Sequence, residues 1–336
     1  MKRITPLIFL AISFQTFGQD YPNLTKLAEQ LISESRRDSL NLASIFNWIT
    51  DNIEYDTKTY FEDLDYPEFG IDPYLDSAHY MKIYNQEVSE MVITNRKAIC
   101  GGYSRLFLTL CELAGIKCHY ITGKVKFPLR DELGEHAWNA AYIDGEWKLL
   151  DLTWASGGLS GKDFIKEKNM FFYFTPPEQL IYDHYPDEQR WSLLDSTKMN
   201  NILSESPILS HQPFKSGLVE YFPMEKTFEI DTLKPFKLTF EFNRAIKPYD
   251  ISISGWPSET LRDKLKIEVT NDNYDSLENI YPRLSYVIPK IEIIEQKTIG
   301  NRLEFTILPL TSSLEKIYVY IESMWPSMIY DVKFKL

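Results

Sequence analysis

Three residue types needed for thiol-based acyl transfer occur in order along the chain. Cys100 lies in Ala98-Ile99-Cys100-Gly101-Gly102-Tyr103-Ser104, His136 in Gly134-Glu135-His136-Ala137-Trp138-Asn139, and Asp151 in Leu149-Leu150-Asp151-Leu152-Thr153-Trp154. A thiol becomes a good nucleophile when a base takes its proton, and an imidazole serves as that base when an anion holds its ring and tautomer. Such a set attacks an amide or ester carbonyl and forms a thioester. Resolution by water makes a hydrolase, and resolution by an amine makes a transferase.

The flanking sequence says how the three are held. From Cys100 to Ala114, the residues Tyr103, Leu106, Phe107, Leu110, Leu113 and Ala114 form one apolar face of a helix that Gly115 ends. Cys100 therefore opens a helix, where free N–H groups and the positive end of the dipole favour a thiolate and could face an oxyanion. Gly101 and Gly102 are expected to leave room for a substrate. Strands are expected over 117–127, 136–143 and 146–153, with Asp144-Gly145 as a two-residue hairpin turn. That turn pairs Ile143 with Glu146, so paired positions sum to 289. His136 and Asp151 then become diagonal neighbours on one face, with Cβ atoms about 7 Å or less apart.

Upstream, helices are expected over 24–36, 38–53 and 86–95, with a long polar loop from Asp56 to Tyr80 as a wall or lid. Trp138 and Trp154 either wall a groove or pack in the core, the latter being the commoner fate of Trp. His184 is read as structural, and Asn95, upstream of Cys100, is the candidate second oxyanion donor.

The whole chain sets the frame. Its 336 residues exceed one ordinary core and suggest two domains. Lys2 and Arg3, the apolar stretch Ile4–Phe14, and the small residues Thr16 and Gly18 read as a signal peptide over 1–18. The expectation is export to the periplasm or outside the cell, with no membrane attachment after signal removal. No Cys precedes Cys100, so a lipid on a signal-peptide cysteine is excluded. A net charge of −12 argues against nucleic acid and against anionic membrane surfaces. Cys111 and Cys118 either pair or stand as buried thiols.

A catalytic domain is expected over 19–200 and a Ser/Pro-marked linker over 201–213. An all-β, sandwich-like domain is expected over 214–336, from β-prone runs at 226–230, 235–243, 265–269, 285–294, 302–308, 316–322 and 328–335. No cofactor or metal is expected. There is no phosphate-binding glycine loop, the histidines at 79, 119, 136, 184 and 211 never fall at i,i+3 or i,i+4, and Asp272-Asn273-Tyr274-Asp275 lacks the glycine and spacing of a calcium loop.

In order and context these motifs resemble the transglutaminase-like superfamily with its papain-like core, over roughly residues 40–200. The resemblance is greatest to the bacterial branch related to kyphoscoliosis peptidase. It also draws on Trp48-Ile49-Thr50-Asp51-Asn52-Ile53-Glu54-Tyr55-Asp56, His184-Tyr185-Pro186 and Trp191-Ser192-Leu193-Leu194. It implies an α+β fold in which a Cys-bearing helix packs on an antiparallel sheet bearing His and Asp. It also implies a catalytic triad of Cys100, His136 and Asp151 acting on peptide or protein amides as a cysteine protease, amidase or transglutaminase. Gly101 stands where animal transglutaminases carry Trp, and the zinc-binding CxxC pairs of peptide N-glycanases are missing. The alternative from another class is an inactive transglutaminase-like scaffold or adhesion protein that keeps the cleft for binding. Nothing in the sequence sets an oligomeric state.

Overall fold

The structure is a computed structural model that describes residues 21–33, 37–126, 133–231, 234–247, 250–257, 291–310, 314–322 and 327–334. The signal peptide expected over 1–18, the run 265–269 and the acidic turn 272–275 lie outside the described residues.

Helices α1 (Pro22–Leu31) and α2 (Asp38–Asn52) precede a two-residue strand β1 (Glu54–Tyr55) and a short helix α3 (Thr57–Phe61). Helix α4 (Ser77–Asn95), strand β2 (Lys97–Ala98) and helix α5 (Cys100–Leu113) follow. Helix α4 is twice as long as the sequence pattern predicts, because its first turns carry no apolar face. Residues 77–82 are all exposed, and the helix starts there because Asp76 accepts from the N–H groups of Ala78 and His79.

Helix α5 is central. Tyr103, Leu106, Phe107 and Leu110 are buried as the pattern requires, and so are Gly102, Ser104, Thr109 and Cys111 from its other faces. It packs on α2 and α4 on one side and on the sheet on the other. Gly115, at φ +71°, ends it. Its start is pinned by the parallel pairing of β1 with β2, which joins Glu54 to Lys97 and Tyr55 to Ala98 just before Cys100.

The sheet is antiparallel, in the order β8-β5-β4-β3-β9. Its strands are β3 (Cys118–Lys126), β4 (Leu133–Ile143), β5 (Glu146–Leu150), β8 (Tyr173–Thr175) and β9 (His184–Pro186). Between β5 and β8 come helix α6 (Leu152–Ser156) and the small hairpin β6 (Gly157–Ser160) and β7 (Asp163–Lys166). Asp144 and Gly145 both have positive φ, as a two-residue primed turn demands. The observed pairs run from Ile143↔Glu146 to Asn139↔Leu150, the predicted register. The ladder stops there, however. Asp151 is not a strand residue but the N-cap of α6, its side chain accepting from Thr153 N and Trp154 N. A carboxylate that can satisfy two helix N–H groups ends the strand.

Residues 201–213, expected as a linker, are the end of helix α8 (Ser196–Glu205), strand β10 (Ile208–Leu209) and the first residues of helix α9 (Gln212–Lys215). Ile208 and Leu209 pair with the last strand, and Leu209 enters the second core. Beyond them two sheets face each other across that core. In one, β14 (Ile251–Pro257), β17 (Leu314–Ile321) and β18 (Met328–Phe334) lie in antiparallel order. β10 and β12 (Thr227–Ile230) sit along the free edge of β18, β12 in parallel. The other sheet is antiparallel, in the order β11 (Leu218–Phe222), β13 (Phe236–Phe242), β16 (Arg302–Pro309) and β15 (Ile291–Ile299). The architecture is thus α+β, followed by an all-β sandwich. Among the described residues no helix is long and apolar enough to cross a membrane.

Candidate active site

Cys100, His136 and Asp151 come from three elements and meet at one place. Cys100 is the first residue of α5, and no side chain caps that end of the helix. The unpaired N–H groups and positive dipole end there lie beside the sulfur. His136 lies in the first half of β4, close enough to Cys100 for each to shift the other's proton affinity. Its Nε2 stands 2.8 Å from Asp151 Oδ2. Nε2 is therefore the nitrogen that donates to the carboxylate, and Nδ1 is left for the sulfur. Asn139, on the same strand, donates from Nδ2 to Ser104 O at 3.1 Å and His119 O at 3.2 Å, tying β4 to α5 and β3.

The electrostatics follow from this packing. Cys100 is half-buried. Burial pushes its thiol pKa up, but the hydrogen bond and charge of His136 and the backbone N–H of Ala137 outweigh it, and the thiol sits below its ordinary value. Burial pulls His136 down, but the Asp151 charge and hydrogen bond win, and His136 is pushed up to about 10. Burial likewise raises Asp151, yet His136 and His184 hold its carboxyl far below the usual carboxylate range. A low thiol beside a high imidazole is what a thiolate–imidazolium pair requires.

Asp151 has four donors. Oδ1 accepts from Thr153 N at 2.8 Å and Trp154 N at 3.0 Å, and Oδ2 accepts from His136 and, at 3.0 Å, from His184 Nε2. They fill the acceptor capacity of a carboxylate. His184 was expected to be structural because nothing near it in sequence supplies a partner. The fold brings it onto the same oxygen as His136, since β9 pairs with β3 and β3 with β4. The ligand atoms of His136, Asp151 and His184 lie within 4.8 Å of one another, a grouping with no trace in the histidine spacing. Their N···O separations are hydrogen-bond lengths, and both Nε2 atoms already donate to Asp151.

Other expected features fall differently. Gly102 does not clear a path for substrate. A Cβ there would come within 2.5 Å of Tyr66 Oη and 2.7 Å of the Ala98 Cβ, so the glycine lets the strap before α4 and the strand before α5 close on the helix. Gly101 is more open, with Tyr120 Oη 3.5 Å from such a Cβ. Trp138 is core, at 1% exposure, whereas Trp154 is half-buried with its ring 4.7 Å from His184. Asn95 is exposed at the end of α4. All three cysteines are free. Cys111 is a buried thiol whose pKa is pushed well up, first by burial and then by the neighbouring Cys118.

Part of the chain is similar to known proteins. Residues 25–152, which contain Cys100, His136 and Asp151, match the family model of the transglutaminase-like superfamily. Kyphoscoliosis peptidase of Mus musculus is 27% identical over 208 residues, covering 60% of this chain and 29% of the mouse protein. That of Homo sapiens is 28% identical over 241 residues, covering 66% of this chain and 33% of the human protein. The chain thus matches no more than about a third of the length of these relatives. A solved structure of a TGase is 17% identical with a TM-score of 0.30, covering 45% of this chain and 34% of that one. With its cysteine at the start of a helix and its histidine on the antiparallel sheet that helix packs against, residues 25–152 form a domain of the transglutaminase-like superfamily.

Proposed function

We propose that the protein is an exported, cysteine-dependent acyl-transfer enzyme acting on peptide or protein amides, with Cys100 as nucleophile, His136 as acid–base and Asp151 as the residue that orients and charges the imidazole. One observation carries this reading. His136 Nε2 stands 2.8 Å from the buried Asp151 carboxylate, and the imidazole so held draws the Cys100 thiol below its ordinary pKa.

The chemistry follows from those positions. The Cys100 thiolate attacks the carbonyl carbon, forming a C–S bond. The oxyanion develops beside the Cys100 N–H at the helix start. His136, with Nε2 held by Asp151, passes the Nδ1 proton to the leaving amine as the C–N bond breaks. Water or a second amine then loses a proton to Nδ1, attacks the thioester carbonyl and releases the thiolate as the C–S bond breaks.

Incubation with fluorescein-labelled casein, with and without dansylcadaverine as acyl acceptor, tests the reading. The wild type is expected to release labelled peptides or to incorporate the amine, and Cys100→Ala to do neither. A wild type that does neither, and whose Cys100 alkylates as an ordinary thiol, returns the domain to a binding role.

Export rests on the basic, apolar and small-residue pattern at the N-terminus. Expressed in a Gram-negative bacterium, the full-length chain is expected outside the cytoplasm with residues 1–18 removed, as read by intact mass. A cytoplasmic product that keeps Met1–Gly18 would refute export and leave the chemistry untouched.

A further inference from the structure

Behind Asp151 lies a second buried imidazole, and both of its ring nitrogens face carboxylates. His184 Nε2 is 3.0 Å from Asp151 Oδ2, and its Nδ1 is 2.6 Å from Asp183 Oδ1. His184 is 1% exposed, Asp183 2% and Asp151 1%. An ionised carboxylate only accepts hydrogen bonds, so an imidazole that donates to two of them must carry a proton on each nitrogen. From this geometry we infer that His184 is an imidazolium fixed between Asp151 and Asp183, and that it serves as a positioning residue whose positive charge sets the proton affinities of His136 and Cys100.

The surroundings favour the charged ring. The groups that face His184 are Asp183 beside it on the chain, Asp151 at the start of α6 and His136 on β4, whose ring centroid is 5.5 Å away. His211, before α9, has its Nδ1 3.5 Å from Asp183 Oδ2, and Tyr185 follows His184 on β9. Cys100 lies one residue further off, beyond His136. The rings of Trp138, Trp154 and Phe172 complete the wall and carry no charge. Burial pulls the His184 pKa down, but the charge of Asp183 and the hydrogen bonds to both carboxylates outweigh it and raise it. Without that cation, the buried Asp183 carboxylate would keep only the 3.5 Å approach of His211 Nδ1 against its charge, which is unfavourable.

The consequence for the reactive pair has a definite sign. A positive charge in a water-poor cluster lowers the proton affinity of every neighbouring group. Taking it away moves the thiol and the imidazole in the same direction, upward, whatever the share of each. Hydrogen-bonding geometry alone would not do this. The inference rests on the thiolate–imidazolium reading of Cys100 and His136 for its functional half, while the protonation of His184 can be read independently of it.

Two measurements test it. Long-range 1H–15N NMR on 15N-histidine-labelled wild type is expected to show both His184 nitrogens protonated throughout the neutral range. A bare nitrogen at neutral pH, which would put the proton on Asp183, overturns the inference. Iodoacetamide labelling of Cys100 across pH gives the second readout. His184→Gln is expected to move the profile up by about 1 pH unit. The double variant His184→Gln with Asp183→Asn, which removes one charge of each sign, is expected to move it back towards the wild type. A His184→Gln profile that overlays the wild type, or a double variant shifted as far as the single, makes His184 a structural residue. Should wild-type Cys100 label as an ordinary thiol and His136→Ala change nothing, the acyl-transfer reading falls instead, and the NMR result still decides the state of His184.

Discussion

Replacing His136 with Ala is expected to slow iodoacetamide alkylation of Cys100 near pH 6.5 and to speed it above about pH 9.5. The argument starts from the sulfur. Burial by itself would raise the thiol pKa, and the hydrogen bond and charge of His136 are what bring it below the ordinary range. With the imidazole gone, the helix N-terminus and the Ala137 N–H remain, and they have burial and the Asp151 charge to overcome. With its thiol lowered by His136, the wild type supplies more thiolate below the ordinary thiol range than the variant does. A less basic thiolate is also a weaker nucleophile. The first effect wins at low pH, and the second reverses the order at high pH, where both sulfurs are ionised. A crossing pair of rate–pH curves is the signature. Parallel curves would mean that His136 does not ionise the thiol.

How much of this site was legible in the sequence depended on whether the signal was local. The Asp144-Gly145 turn fixes the hairpin register because positive φ is needed at both positions and few residue pairs provide it. Extended along β4, that register turns His136 toward the Asp151 side of the hairpin. The same reasoning ran too far at Asp151. An Asp two and three residues before free N–H groups can leave a strand to cap a helix, and the apolar residues Leu149, Leu150 and Leu152 around it hide that choice. The contact between His136 and Asp151 survives because a capping carboxylate still has one oxygen to present to the ring. His184 was illegible for another reason. Its partner Asp151 is 33 residues away, and the two meet only because β9 adds to the free edge of β3.

Elsewhere the limits were also physical. The outer half of α4 lacks an apolar stripe and owes its start to Asp76, so periodicity found only the half that packs. In the β-sandwich, β14 reads Ile-Ser-Ile-Ser-Gly-Trp-Pro, whose small polar residues and terminal Gly and Pro mask its alternation. Strand β11 buries only Leu218. The Ser- and Pro-rich approach to the second core concealed Ile208 and Leu209, two residues too few to form a pattern but enough to pair with β18.

Asp151→Ala is expected to give the largest loss of stability of any single change in the site, about 3–5 kcal/mol at pH 5–6. The residue accepts four hydrogen bonds, two from buried imidazoles and two from the first turn of α6. Its removal strands two ring N–H donors in a dry environment and uncaps a helix. Asp151→Asn separates these effects. Its Oδ1 can still cap α6, but its amide nitrogen would face the donors on His136 and His184, so most of the loss should remain. Linkage fixes the pH dependence. Asp151 has a depressed folded pKa, so its contribution is complete above about pH 4 and fades as pH falls through the folded value. His136 has a raised one, so its contribution is complete below about pH 6.5 and fades as pH rises through about 10. The difference between wild type and variant in urea unfolding should therefore be widest between about pH 4 and 6.5 and shrink on both sides. A pH-independent deficit of about 1 kcal/mol, the cost of a lost helix cap alone, would show that Asp151 serves α6 and not the imidazoles.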